Sequence, residues 1–296
     1  MKLLLGLAAS LLIAFGSVSH AGQAAIGEGD FSTDDGAHIH YWQAGQDHAA
    51  PALVLIPGWT LSATLWHEQL QRFSAQRRVI AVDSRSQGAS SIMLTGNTPE
   101  RRAQDLHELL ASLGIHRIVL VGWSQGAQDV AAYVQQFGTD SLAGVVFVDS
   151  PVSAGTNEVD LRKEFTKAIL AGLSRYAAQP ADYSAGMVRS IFRHPPPDID
   201  AVIAQAQRTP PAVGAAMLVS DIFGADRRPA LSKIDRPTLV IAAGSSPLLE
   251  AQKQMAAAIR GARFLVLPNT RHALFVDDPQ AFDAALQQLL DAAGSS

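Results

Sequence analysis

The sequence predicts a doubly wound α/β fold: a mostly parallel sheet with helices on both faces, opened by an N-terminal hairpin and interrupted once by a helical insertion. Three observations lead there. Short runs rich in Val, Ile and Leu recur at 52–56, 78–82, 118–121, 145–148 and 238–242, with a further one at 264–267. They are apolar on both faces, as interior strands of a parallel sheet must be. Helical patterns at 65–75, 99–113, 126–137, 248–259 and 279–292 alternate with them, and such alternation builds parallel β-α-β units. The rhythm then stops from 150 to about 233, where helical stretches such as 158–173 stand among the breakers Pro180, Pro195, Pro196, Pro197, Pro210 and Pro211.

Taken in order, the chain opens with Lys2, an apolar run over 3–15 and a small-x-small pattern at Ser19 and Ala21. That is the layout of a cleaved signal peptide. The run is shorter than the ~20 apolar residues that cross a bilayer, so no stable membrane anchor is expected. Cleavage after Ala21 implies an exported protein, periplasmic or secreted. A hairpin follows, with strands at 28–32 and 37–44 joined across Asp34, Asp35 and Gly36, because Asp-Gly readily adopts a tight turn. The expected division is a signal peptide over 1–21, a first core segment over 22–149, a helical cap over 150–233 and a second core segment over 234–296. The insertion leaves at the carboxyl end of a strand, the edge where open α/β sheets bind ligands, so a cap there would shape a pocket. A second small domain unrelated to the sheet is the alternative.

Composition narrows the function. The 296 residues are 48% hydrophobic and 17% charged, with a formal net charge of -4, which is globular rather than disordered. No run of Lys and Arg offers a nucleic-acid surface. With no cysteine there is no disulfide, thiolate metal site or cysteine nucleophile. His38 and His40 share a strand face without an evident carboxylate partner and read as an exposed face far from the site, not as metal ligands. No dinucleotide fingerprint or phosphate loop is present, so no cofactor and no metal are expected.

The chemistry lies in Gly122-Trp123-Ser124-Gln125-Gly126, between the strand 118–121 and the helix it opens. At a strand-to-helix junction both glycines have a steric purpose: the sharp turn holds Ser124 in strained backbone, and its neighbours must stay small. An ordinary N-cap serine would need neither glycine. A hydroxyl nucleophile requires a base, and His272, just after the last strand, is the best placed histidine. The oxyanion formed by attack on a carbonyl needs donors; the backbone N–H groups of Trp59, after the strand 52–56, and of Gln125 are the candidates.

With these motifs, and with Pro57-Gly58-Trp59 and Asp83-Ser84-Arg85-Ser86-Gln87-Gly88-Ala89-Ser90, the chain resembles the α/β-hydrolase family over residues 31–292. It is most similar to the capped group of serine esterases, lactonases and cofactor-free haloperoxidases. The segment 83–90 resembles that family's Asp-x-Arg-Gly-x-Gly-x-Ser, with Ser86 in place of a glycine. The resemblance implies a scaffold role for Asp83 and Arg85. A serine at the elbow argues against the relatives that use aspartate there, and favours acyl chemistry. Most relatives place the triad acid after the strand equivalent to 238–242, where this chain offers Ser245 and Ser246. Others take it from the end of the preceding strand, which here is Asp149; Glu250 is the alternative acid. The resemblance implies hydrolysis of small to medium, fairly apolar esters or lactones through an acyl-enzyme. Perhydrolase or haloperoxidase-like acyl transfer, or a non-catalytic binding protein on a hydrolase scaffold, are the alternatives. Phe165, Tyr176, Tyr183, Met187, Phe192, Met217, Leu218 and Phe223 are expected either to line the pocket or to form the cap's own core.

Overall fold

The computed structural model describes residues 25–160 and 163–294. The signal peptide expected over 1–21 lies outside them. Among the described residues eight strands form one sheet: β1 (Gly27–Ser32), β2 (His38–Ala44), β3 (Ala52–Ile56), β4 (Val79–Val82), β5 (Ile118–Trp123), β6 (Leu142–Val148), β7 (Thr238–Ala243) and β8 (Arg263–Leu267). Their spatial order is β1-β2-β4-β3-β5-β6-β7-β8. β1 and β2 pair antiparallel, β2 pairs antiparallel with β4, and every later pairing is parallel.

Alternation along the buried strands sends successive side chains to opposite faces. Leu53, Leu55, Val119, Val121, Leu239 and Ile241 join one apolar cluster, while Val54, Ile56, Ile118, Leu120 and Val240 join the other. The first face is covered by α1 (His67–Phe73) and, from the C-terminus, by α10 (Pro279–Gly294), which follows the short α9 (Leu274–Asp277). The second face is covered by α2 (Pro99–Ser112), α3 (Gln125–Phe137) and α8 (Leu249–Ala257). At about 25 cal/mol per Å² of buried apolar surface, these two layers are the main source of stability in a chain without disulfides.

α2 shows how local sequence sets an element's start. Thr98 is extended, its side chain accepts from the Arg101 N–H, and Pro99 occupies the first helical position, where its missing N–H costs nothing. Between β6 and β7 the described residues make four α-helices: α4 (Glu164–Ala178), α5 (Pro180–Ser190), α6 (Ile199–Ala206) and α7 (Pro211–Phe223). The helix expected at 158–173 instead begins at Glu164 and runs to Ala178, since nothing before Pro180 breaks it. A 3-10 turn at Gly155–Glu158 precedes it. Among the described residues no helix is long and apolar enough to cross a membrane.

Candidate active site

Strand order places the site. From β3 the chain passes to β4 on one side and then returns to β5 on the other, so neighbouring β3 and β5 flank the point where the winding reverses. Their carboxyl ends open the crevice in which such sheets bind ligands. The Trp59 turn follows β3, and Ser124 follows β5.

Ser124 sits at φ 55° and ψ -113°, with its N–H bonded to the Val148 carbonyl at 3.0 Å. A positive φ in a non-glycine residue is strained, and here it lifts the hydroxyl out of the sheet edge. Both flanking glycines are required. A Cβ on Gly122 would run into the Gly126 carbonyl, and one on Gly126 would come within 2.9 Å of the Ile56 carbonyl.

The Ser124 Oγ lies 2.8 Å from His272 Nε2, and His272 Nδ1 lies 2.7 Å from Asp149 Oδ2. His272 stands in the loop between β8 and α9, where the Trp123 indole donates to its carbonyl at 2.8 Å. The residue directly before Ser124 therefore also holds His272 in place. Asp149 follows β6 directly at φ 47° and is 4% exposed, with its N–H donating to the Ile241 carbonyl. Its second oxygen, Oδ1, accepts from the Ala243 N–H at 3.0 Å and from Gln252 Nε2 at 3.1 Å. A carboxylate held by two donors on one oxygen is fixed in orientation toward the imidazole on the other. Gln252, which also donates to Ser246 Oγ, carried no signal in the sequence; it is one more polar residue on an amphipathic helix. Glu250 lies in the first turn of the same helix and accepts from Gln254.

Among the described residues, neither the Trp59 nor the Gln125 backbone N–H has an acceptor. Gln125 opens α3, so its amide is one of the unpaired donors at a helix N-terminus. Gly58 approaches Ser124 closely, since a Cβ there would stand 3.2 Å from Ser124 Cβ. Trp59 reaches the insertion by its side chain: the indole donates to the Gly214 carbonyl of α7 at 2.8 Å and meets Tyr176 edge-on with centroids 5.0 Å apart.

Above these groups lies a cavity of about 630 Å³ lined by Trp59, Ser124, Gln125, Asp149 and His272 from the sheet edge. Phe165, Ile169, Leu218 and Ile222 line it from the insertion, and Leu248 and Met255 from the α8 side. Such a volume suits a small to medium organic molecule. Of the apolar residues expected in the insertion, Phe165 and Leu218 line this space, while Tyr176, Phe192 and Met217 are buried in packing. Asp221, at the cavity wall, is bound to Arg102 at 2.6 Å, and burial pushes its carboxyl up to about 7.

The segment 83–90 is a loop anchor. Asp83 accepts from the Ala63 and Ala89 N–H groups, and Arg85 forms paired bonds to both Asp105 and Asp35. Ser86, standing where the resemblance has a glycine, adopts φ 65°. One expectation is corrected. His40 is buried rather than on an exposed face, 3.1 Å from Asp83 Oδ2 and 3.4 Å from Glu28 Oε2. The hydrogen bond to Asp83 raises its imidazole above the ordinary histidine value. Among the described residues no group of three or more His, Cys, Asp or Glu could hold a metal ion.

Comparison with known proteins agrees with this architecture. A non-heme haloperoxidase from Rhodococcus erythropolis is 26% identical over 279 residues, 88% of this chain and 98% of that protein. A bifunctional esterase/perhydrolase from Acinetobacter calcoaceticus is 32% identical over 123 residues, 41% of this chain and 44% of its own. The crystal structure of a bromoperoxidase from Bacillus anthracis superposes with a TM-score of 0.79 at 25% identity, covering 90% of this chain and all of that one. The model of the alpha/beta hydrolase family matches residues 53–285, and the chain belongs to that family.

Proposed function

We propose that this protein is a serine hydrolase that cleaves carboxylic esters or lactones of small to medium, fairly apolar substrates, with Ser124, His272 and Asp149 as its triad. The observation that carries the reading is the continuous chain of contacts, Ser124 Oγ to His272 Nε2 at 2.8 Å and His272 Nδ1 to Asp149 Oδ2 at 2.7 Å, at the floor of the cavity. His272 takes the Ser124 proton as the hydroxyl attacks the carbonyl carbon. The Trp59 and Gln125 amides hold the oxyanion of the tetrahedral intermediate. Collapse breaks the bond to the leaving oxygen, which receives the proton from His272 and departs as the alcohol. A water molecule, deprotonated by His272, then attacks the acyl-enzyme and releases the acid.

Asp149 keeps the imidazole in the tautomer that presents Nε2 to serine and stabilises the imidazolium. The segment 150–233 acts as a cap, its apolar side chains excluding water from the acyl group. Export after cleavage at Ala21 belongs to the same proposal. Similarity to haloperoxidases over nearly their whole length favours one second reading, in which hydrogen peroxide replaces water as acyl acceptor and the product is a peracid.

Purified protein treated with a fluorophosphonate probe should be labelled at Ser124, and a panel of esters and lactones of graded acyl length should show turnover that Ser124→Ala abolishes. An intact fold with no labelling and no turnover would remove the reading. Peracid formation from acetate and peroxide, compared with ester hydrolysis on the same sample, separates the two acceptors. The N-terminal mass of exported material tests cleavage.

A further inference from the structure

We infer that Gln87 is the residue that positions the oxyanion donors, an inference that rests on the serine hydrolase reading. Gln87 is fully buried in the 83–90 anchor, does not line the cavity, and takes no part in proton transfer. Its Nε2 donates to the carbonyls of Gly58 and Leu61, each at 3.0 Å, which uses both protons of the carboxamide. Its Oε1 accepts from Gln125 Nε2 at 2.7 Å. A single side chain thus ties the turn after β3 to the residue after the nucleophile, and those two places supply the two oxyanion amides.

Peptide geometry gives the direction of the effect. The Gly58 carbonyl and the Trp59 N–H belong to one planar trans peptide, so they point opposite ways. Holding the Gly58 oxygen in the interior, against Gln87, turns the Trp59 N–H outward to the cavity that Trp59 and Ser124 share. The turn's own bond, Leu61 N–H to Gly58 O at 3.1 Å, closes the loop on itself but does not tie it to α3. Gly58 lacks a Cβ that would resist rotation of this peptide, and Thr60 already stands at φ 59°. Gln87 is itself held from both directions: the carbonyl of Ser86 before it accepts from Thr209 Oγ1 at 2.7 Å, and Gly88 after it packs against the Asp83 carboxylate. Its carboxamide is therefore a rigid strut between the two donor sites.

The test compares wild type with Gln87→Met, which keeps bulk and removes both donors, and with Gln87→Glu, which turns a carboxylate toward two carbonyls. Substrate is p-nitrophenyl butyrate, and the oxyanion probe is a trifluoromethyl ketone that forms a tetrahedral adduct on Ser124. Loss of one oxyanion donor lowers turnover about 10²- to 10³-fold, and partial misalignment less, so Gln87→Met should lose roughly 10- to 100-fold in kcat. KM should stay within about threefold, the ketone's Ki should rise by the same factor as kcat falls, and the pH midpoint of the activity profile should not move. Gln87→Glu should lose at least as much. In nitrogen-15 spectra the Trp59 amide of wild type should shift on adduct formation, and that of Gln87→Met should shift less. A Gln87→Met enzyme with native kcat and native Ki, or one whose loss lies in KM with the ketone still bound normally, overturns the positioning role. Should neither variant fold, Gln125→Met decides the matter, because it removes only the donor to Gln87 Oε1; native kcat there overturns the proposal. A wild type that forms no ketone adduct sinks the hydrolase reading instead.

Discussion

The carboxyl edge of the sheet and the helical insertion above it are held by different forces. At the edge, Ser124 and Asp149 stand at strained positive φ, each backbone N–H bonded to a carbonyl of the adjoining strand. Strain of this kind persists only where the surroundings over-determine it. The insertion is held unevenly. α5 and α6 bury Val188, Val202, Ile203 and Ala206 in the same apolar cluster as the sheet, whereas α4 buries only Thr166 and Tyr176. α7 is fastened by charge: Arg102 of α2 bridges Asp129 of α3 and Asp221 of α7, and all three are buried. The difference teaches that precision resides where backbone geometry is locked, and adaptability where few apolar contacts hold a helix over the cavity.

The largest expected effect breaks the edge while leaving the insertion intact. Asp149→Asn should lower kcat on an ester about 10⁴-fold, because an amide in this place favours the wrong imidazole tautomer. Its melting temperature should change far less than its activity. Kinetics and calorimetry on the same sample check this, and near-native turnover would mean that another acid serves His272.

Breaking the seam should do the reverse. Arg102→Leu leaves Asp129 and Asp221 buried without their cation, at a cost of about 3–5 kcal/mol, and the melting temperature should fall by roughly 10 °C. Activity of the remaining folded protein should stay within several-fold of wild type. A loss of stability under about 1 kcal/mol in urea titration would show that apolar packing alone seats α7.

The smallest effect is on pH. His40 is raised by its hydrogen bond to Asp83, so the folded state holds that proton more tightly than the unfolded chain does. Its contribution is full below the ordinary value of 6.5 and fades as pH rises through the folded value. Asp221, raised to about 7 by burial, acts with the same sign, since its deprotonation between its ordinary 3.8 and about 7 weighs against the folded state. Wild type should therefore lose stability from pH 6 to pH 8, by an amount on the order of 1 kcal/mol, and His40→Gln should show a shallower slope. Equal slopes would assign the trend to other groups.

Much of the edge was legible because its constraints are local. The elbow glycines, the apolar strands and the turn after β3 each leave a mark within a few residues, and the observed strands lie within one to three residues of the expected ones. β5 and β6 run longer because Gly122 and Trp123 still pair with β6, and residue 142 already pairs with Ile118. The burial of His40 was not legible, since the alternation of a hairpin cannot reveal that the 83–90 loop closes over one face. Gln87 bonds groups 26 to 38 residues away in sequence and Gln252 reaches Asp149 across 103, so no spacing rule could single them out.

Trp59 is a citizen of both territories. Its amide belongs to the sheet edge, yet its indole is bonded to a carbonyl 155 residues further along, in α7. Whatever lodges in the cavity and nudges that helix also tugs on the turn proposed to cradle the transition state. Substrate choice and catalytic speed should therefore be hard to evolve apart: mutations that widen the chamber for bulkier guests carry a built-in penalty in rate unless the tryptophan finds a new anchor.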